Sequence, residues 1–233
     1  DWNGFGALYC WSDAQYAAER EIVEQVLRPH VDALVFLDAD VMARKDAIRD
    51  EVLAETGFHI DQVLDRFWVN TRLIGVARGK GVSGAYFRKP SPVPDELDLD
   101  RDRVGFLWID PILPLRGSDV RDAADLAGQI MQHHGFEPNL GFNCVTERAI
   151  FMTISMVFDR DREGDDARAM RCGKELAQRM TAEGFTLGRV ANGFMNVLDH
   201  AQPASMDLQH RIKEAVDPAG ILAPGRYEVP PSF

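Results

Sequence analysis

Between residues 104 and 190 the hydrophobic pattern switches repeatedly between two periods, and this restricts the fold more than any other feature of the chain. Residues 104–113 (VGFLWIDPIL) are a short apolar run of strand type. Ala123, Leu126, Ala127, Ile130 and Met131 then recur at helical spacing, behind Ser118 as a good N-cap and ahead of Gly135 as a stop. Residues 149–158 (AIFMTISMVF) are rich in β-formers. Residues 165–183 read as a helix with Leu176 and Met180 four apart, Gly184 closes it, and residues 185–190 return as a strand. The order is strand–helix–strand–strand–helix–strand. It predicts an α+β domain: ferredoxin-like units forming a mostly antiparallel sheet with helices on one face.

Upstream, the chain suggests another strand–helix–strand unit. Residues 6–11 and 32–37 read as strands around a helix over 14–27, capped by Ser12 or Asp13 and stopped by Pro29. Helices are also expected over 39–56, ended by Gly57, and over 60–74. Residues 75–103 are rich in Gly, Pro and charge, and form a long excursion of the kind that often carries function. After residue 192 come two short helices, 194–200 and 205–216, and a loop-like, Pro/Gly-rich end. That tail has little core of its own and should pack on something else.

Composition excludes several classes. A formal net charge of -11 repels phosphate backbones, so nucleic acid is not an expected partner. No apolar run approaches the ~20 residues of a membrane span, and none at the start reads as a signal peptide. The chain opens at Asp1 without Met, as a fragment or processed subunit would. Cys10, Cys144 and Cys172 are odd in number and far apart, which fits reduced thiols in a small-residue core role and a cytoplasmic location, the periplasm remaining compatible. No metal site is expected, since CxxC, HExxH and HxH are all absent. His133-His134 sits where a cationic helix C-terminus belongs.

No phosphate cradle of GxGxxG or GxxxxGK[ST] type occurs, and no GxSxG elbow. Gly79-Lys80-Gly81 is a flexible basic loop. Without a further signal, Asp217-Pro218 to Gly220 reads as a helix stop, and Pro224-Gly225 as a second turn.

A set of ordered segments adds that signal. Residues 216–226 (VDPAGILAPGR) resemble the C-terminal signature of FAD-linked oxidases. Trp2-Asn3-Gly4 with Gly6-Ala7-Leu8-Tyr9, then Trp108-Ile109-Asp110-Pro111 with Leu115-Arg116-Gly117, then Glu183-Gly184-Phe185 through Gly188-Arg189 to Phe194, are similar to segments of one branch of that group. The chain thus resembles the vanillyl-alcohol oxidase and 4-cresol dehydrogenase (p-cresol methylhydroxylase-type) family along nearly its whole length.

The resemblance implies a division into a cap, or substrate, domain (1–184) and a return segment (185–233) that packs on an FAD-binding domain of the same or a companion chain. It implies FAD as cofactor and hydride transfer to flavin N5 from a small, aromatic substrate of the 4-alkylphenol or aryl-alcohol type. An electron-acceptor protein and a homodimer are compatible with it. Arg189 matches the arginine of the family's Tyr-Arg pair, beside the flavin edge or the substrate oxygen. Arg226 matches the basic residue of the tail motif and suits an anionic substrate group. A permanently charged, planar guanidinium fits both roles, with a surface salt bridge as the alternative for each. Gly188, Trp108 and Phe142 are candidates for the substrate pocket. Two departures stand out. Gly188 replaces the family tyrosine, which removes a phenol-binding hydroxyl and leaves room for something bulkier. Residues 86–103 contain no histidine, so a covalent flavin tether from this excursion would fall to Tyr86. A 2-hydroxy-acid dehydrogenase of glycolate or D-lactate type is a rival within the superfamily, and a non-catalytic ferredoxin-like binding domain is a rival outside it.

Overall fold

A computed structural model describes residues 4–37, 44–57, 59, 83–200 and 203–227. The chain forms two compact units, residues 1–81 and 82–233.

In the first unit, α1 (Asp13–Leu27) starts where expected, with the Ser12 hydroxyl accepting a bond from the Gln15 N–H at 3.2 Å. Helix α2 (Lys45–Thr56) ends at Gly57 in the left-handed conformation, φ 72°. The expected strands at 6–11 and 32–37 do not form: the described residues there join no sheet ladder. A strand needs a neighbouring edge to satisfy its N–H and C=O groups, and none of the described residues of this unit supplies one. Val35, Leu37 and Val52 pack against Ile48 of α2. The helix expected over 60–74 lies outside the described residues.

The second unit carries the predicted alternation. Its elements are β1 (Val104–Pro114), α3 (Gly117–His133), β2 (Leu140–Cys144), β3 (Ala149–Asp159), α4 (Asp165–Ala182) and β4 (Thr186–Arg189). The sheet order is β2-β3-β1-β4 with every neighbour antiparallel, which is the ferredoxin-like arrangement. Helix α3 begins one residue before Ser118. Its N-cap is Arg116, whose guanidinium grips Asp119 at 2.6 and 2.9 Å.

Both helices cover the same face of the sheet. Ala123, Ala127, Ile130 and Met131 of α3 and Ala169, Cys172, Leu176, Ala177 and Met180 of α4 recur at three and four residues. They meet Ile150, Met152, Ile154, Met156 and Phe158, every second residue of β3. Gly173 permits the close approach of α4: a Cβ there would lie 2.7 Å from Phe194 and 2.9 Å from Leu107. Of the three cysteines only Cys172 is a core residue, its thiol pushed up to about 12 by burial; Cys144 is exposed.

The described part of the excursion is ordered. Tyr86 is buried with Ala85 and Val104, against Leu97, Leu99 and Phe106. Its hydroxyl donates to Asp102 at 2.7 Å and accepts from the Asp98 N–H at 3.0 Å. Lys89 bridges Asp159 and Asp161 at 2.6 and 2.7 Å. The segment therefore covers the Val104–Phe106 end of the sheet's second face; towards the other end Trp108 and Arg189 are exposed.

The tail is a 3-10 helix (Asn192–His200), then α5 (Pro203–Val216), then a loop. It is not detached from the domain. Val190, Phe194 and Val197 belong to the main core, and Met195 and Tyr227 pack on it. Leu208, Ile212, Val216, Ile221 and Leu222, by contrast, are exposed. No described helix is long and apolar enough to cross a membrane.

Candidate active site on the uncovered sheet face

The site is built where β1 and β4 fall out of register. Asp110 pairs with Arg189, but Pro111 pairs with Leu187, so Gly188 is an extra residue on β4. Pro111 has no N–H to give to a ladder, and a bulge is how a strand accommodates that loss. The bulge turns Arg189 onto the face away from the helices.

There its guanidinium meets Asp110. Nε donates to Asp110 Oδ2 at 2.9 Å and Nη2 lies 2.8 Å from the same oxygen. The guanidinium carbon also sits 5.1 Å from the centre of the Trp108 ring and 5.7 Å from that of Phe151. The pair is lopsided: the Arg189 side chain is 57% exposed and that of Asp110 1%. Burial pushes the Asp110 carboxyl above the ordinary carboxylate range, against the pull of Arg189 and, more weakly, of Thr153. Its Oδ1 is buried and accepts no hydrogen bond from the described residues.

Trp108 is 42% exposed and meets Phe106 edge-on, 4.7 Å between ring centres. Trp108 and Arg189 therefore share one surface. Phe142 packs instead against the core on the helix-covered side, pairing with Met152. Gly188 does not leave room for a bulkier group: a Cβ would stand 2.8 Å from both Ile112 and Phe151, which already fill that space. Asp110 was not singled out among the candidates. The available signal was one acid inside the otherwise unbroken apolar run VGFLWIDPIL.

Arg226 stands on the tail loop, exposed, with its Nη1 donating to Asn192 Oδ1 at 2.6 Å. Buried Asp217 organises this loop. It accepts from the N–H groups of Ile221 and Leu222 at 3.1 and 2.9 Å and from Lys213 at 2.5 Å. These partners, Lys213 foremost, hold its carboxyl below the ordinary range. Gly220 and Gly225 take positive φ, as do Ala223 (45°) and Tyr227 (54°), where a side chain is disfavoured. Tyr227 pins the loop to the strand that bears Arg189, because its hydroxyl accepts the Val190 N–H at 3.2 Å. The tail motif thus acts as a clasp that places Arg226 next to the end of β4.

A guanidinium on an open sheet face, beside an exposed indole, can take the edge of a planar oxygen-bearing group. Tyr86 is not available as a tether: it is buried, its oxygen is engaged on both sides, and burial with Asp102 raises its pKa. Among the described residues no group of three metal-ligating side chains forms. An open cavity of about 640 Å³ lies near the other end of β1, between Asp98, Phe106, Arg160 and Met170, and is lined by none of Trp108, Asp110, Arg189 and Arg226.

No protein-family model matches the chain. It is 33% identical over 227 residues, 97% of its length, to the 1'-carboxy-chondrochloren decarboxylase of Chondromyces crocatus. It is 33% identical over 123 residues, 52% of its length, to the 4-cresol dehydrogenase flavoprotein subunit of Pseudomonas putida. It spans 42% and 23% of these relatives. Among solved structures it is similar to p-cresol methylhydroxylase with substrate bound, at 32% identity and a TM-score of 0.50, over 54% of this chain and 24% of that one. The ordered motifs, the ferredoxin-like sheet and these matches make the chain a homologue of the C-terminal region of the 4-cresol dehydrogenase, or p-cresol methylhydroxylase-type, FAD oxidase family.

Proposed function

We propose that this chain is the substrate-binding part of an FAD-dependent oxidoreductase that oxidises a small aromatic substrate at a benzylic or alcoholic carbon. The observation that carries the reading is Arg189, held on the uncovered sheet face by buried Asp110 and flanked by exposed Trp108. In this reading residues 1–184 act as the cap and residues 185–233 as the return segment. The exposed apolar residues of α5 and of the tail loop then meet an FAD-binding domain of the same or a companion chain. The described residues suit the ring end of the cofactor, where guanidinium groups are useful, rather than its diphosphate, for which they offer no Gly-rich cradle. FAD, when bound, supplies the hydride acceptor. Arg189 orients the oxygen-bearing edge of the ring or substrate. Arg226, whose hydrogen-bond partner Asn192 is neutral, keeps its full charge for an anionic group. Trp108 offers a flat apolar surface to an aromatic ring.

Anaerobic mixing of the full-length flavoprotein with 4-alkylphenols and aryl alcohols should bleach the flavin. Arg189→Ala should slow the bleaching about a hundredfold, the roughly 3 kcal/mol of an oriented charge. Wild-type reduction rate and affinity in that variant would remove Arg189 from the site. Bleaching by 2-hydroxy acids alone would favour the rival dehydrogenase.

A second reading is favoured by the relative that matches 97% of the chain, since its name describes a decarboxylase acting on a carboxylated compound. A substrate carboxylate would suit Arg226. Carbon dioxide release from carboxylated aryl substrates, lost in Arg226→Ala, distinguishes this reading from simple hydride removal.

A further inference from the structure

The loop after α5 keeps its shape without apolar packing of Ile221 and Leu222, which are 75% and 61% exposed. Gly220, Ala223, Gly225 and Tyr227 all take positive φ. Disfavoured backbone at the two non-glycine positions persists only where its surroundings fix it. Two fasteners do so. At the near end Asp217 is buried, and both of its carboxylate oxygens are used. Oδ1 accepts the Ile221 N–H at 3.1 Å, and Oδ2 accepts the Leu222 N–H at 2.9 Å and the Lys213 ammonium at 2.5 Å. Lys213 also donates to the Leu222 carbonyl, so acid and base together hold both backbone groups of that residue. At the far end the Tyr227 ring packs on the main core, its N–H meets Met195 Sδ at 3.4 Å, and its hydroxyl accepts from Val190. Arg226 lies between the fasteners. Its N–H closes a turn onto the Ala223 carbonyl at 3.1 Å, and its guanidinium is steered by Asn192, 5.7 Å from the centre of the Tyr227 ring.

Resting on the proposal that Arg226 receives an anionic substrate group, we infer that Asp217 is a positioning residue for that recognition: it sets the affinity of the site for an anion through Arg226, without touching the substrate. A long cation that must be ordered at the moment of binding gives back part of its attraction as lost freedom, whereas one already held does not. Asparagine has the shape of Asp217 but only one acceptor oxygen. Whichever way the amide turns, its NH2 group faces a donor: the Ile221 N–H on one side, or the Leu222 N–H and Lys213 on the other. The near fastener then opens, and Arg226 keeps its charge but loses its place.

Isothermal titration calorimetry of the full-length flavoprotein with benzoate, and with its neutral counterpart benzamide, reads the preference for an anion as the ratio of two affinities. The wild type should bind benzoate about tenfold more tightly. Asp217→Asn should bring the ratio close to unity by weakening benzoate while benzamide is unchanged. Added to Arg226→Ala, the same substitution should have no further effect, because the two residues act as a unit. Lys213→Met, which opens the same fastener from its other side, takes the place of Asp217→Asn with the same expectations should that variant fail to fold. Equal weakening of both probes would mark Asp217 as general support for the fold and overturn the inference. An unchanged ratio, or a full further loss on top of Arg226→Ala, would overturn it too. Arg226→Ala with the wild-type ratio would overturn the anion site itself, and the inference with it.

Discussion

On the helix-covered face of the sheet, every second residue of β3 from Ile150 to Phe158 is buried among apolar side chains of α3 and α4. On the other face the same strand offers Phe151, Thr153, Ser155 and Val157, and β1 sets Phe106, Trp108, Asp110 and Ile112 beside them. The first face is filled. The second is roofed at one end by the excursion around Tyr86 and is left with an ion pair and an exposed indole at the other. The buried carboxylate of this second face is held by Arg189 and Thr153 rather than by apolar packing. The contrast shows how one set of strands separates the work of folding from the work of recognition, residue by alternate residue.

The comparison breaks most visibly if the covered face proves tolerant. Ile154→Ala removes a fully buried side chain between the helices and should cost about 3 kcal/mol, within the range for large-to-small core changes. Urea unfolding measures it, and a loss below about 1 kcal/mol would show that this face is less tightly packed than described.

A smaller effect is expected for Arg189→Ala. Removing one partner of a fully buried pair costs about 3–5 kcal/mol, but water screens the half-exposed guanidinium, so about 2 kcal/mol is expected at neutral pH. The sign of the pH dependence follows from Asp110. Its folded pKa is already raised, and losing the arginine raises it further. The folded variant therefore prefers a neutral Asp110. Its deficit should be largest above that raised pKa and should shrink as pH falls through it towards the ordinary carboxylate value near 4. Thermal melts of variant and wild type across that window check it, and a deficit that grows on acidification would refute the pairing.

The smallest stability effect should come from Trp108→Ala. The indole loses edge contact with Phe106 and a cation–π contact with Arg189, about 1 kcal/mol together at an exposed site. Binding of an aromatic ligand should suffer more than folding does. Equal losses in a melt and in a ligand titration would place Trp108 with the structural residues.

The sequence alone was enough for the larger architecture. The strand–helix–strand–strand–helix–strand order of residues 104–190 is written in hydrophobic periods that local geometry must obey, and the antiparallel sheet with both helices on one face follows from burying those periods together. Arg189 and Trp108 could be marked in advance because their segments resemble a family. The first unit was misread because 6–11 and 32–37 are apolar enough for strands, yet a strand exists only where another chain segment accepts its hydrogen bonds. Gly188 looked like open space because a missing side chain says nothing of what fills its place; Ile112 and Phe151 do.

Asp110 is the clearest case of what tertiary structure alone decided. In sequence it lies 79 residues from Arg189, and nothing local joins them. Only the antiparallel pairing of β1 with β4, shifted at Pro111, sets acid and base side by side on the face the helices leave free. Periodicity tells which face of a strand is apolar. Register, set by long-range hydrogen bonds, determines which charges meet across it.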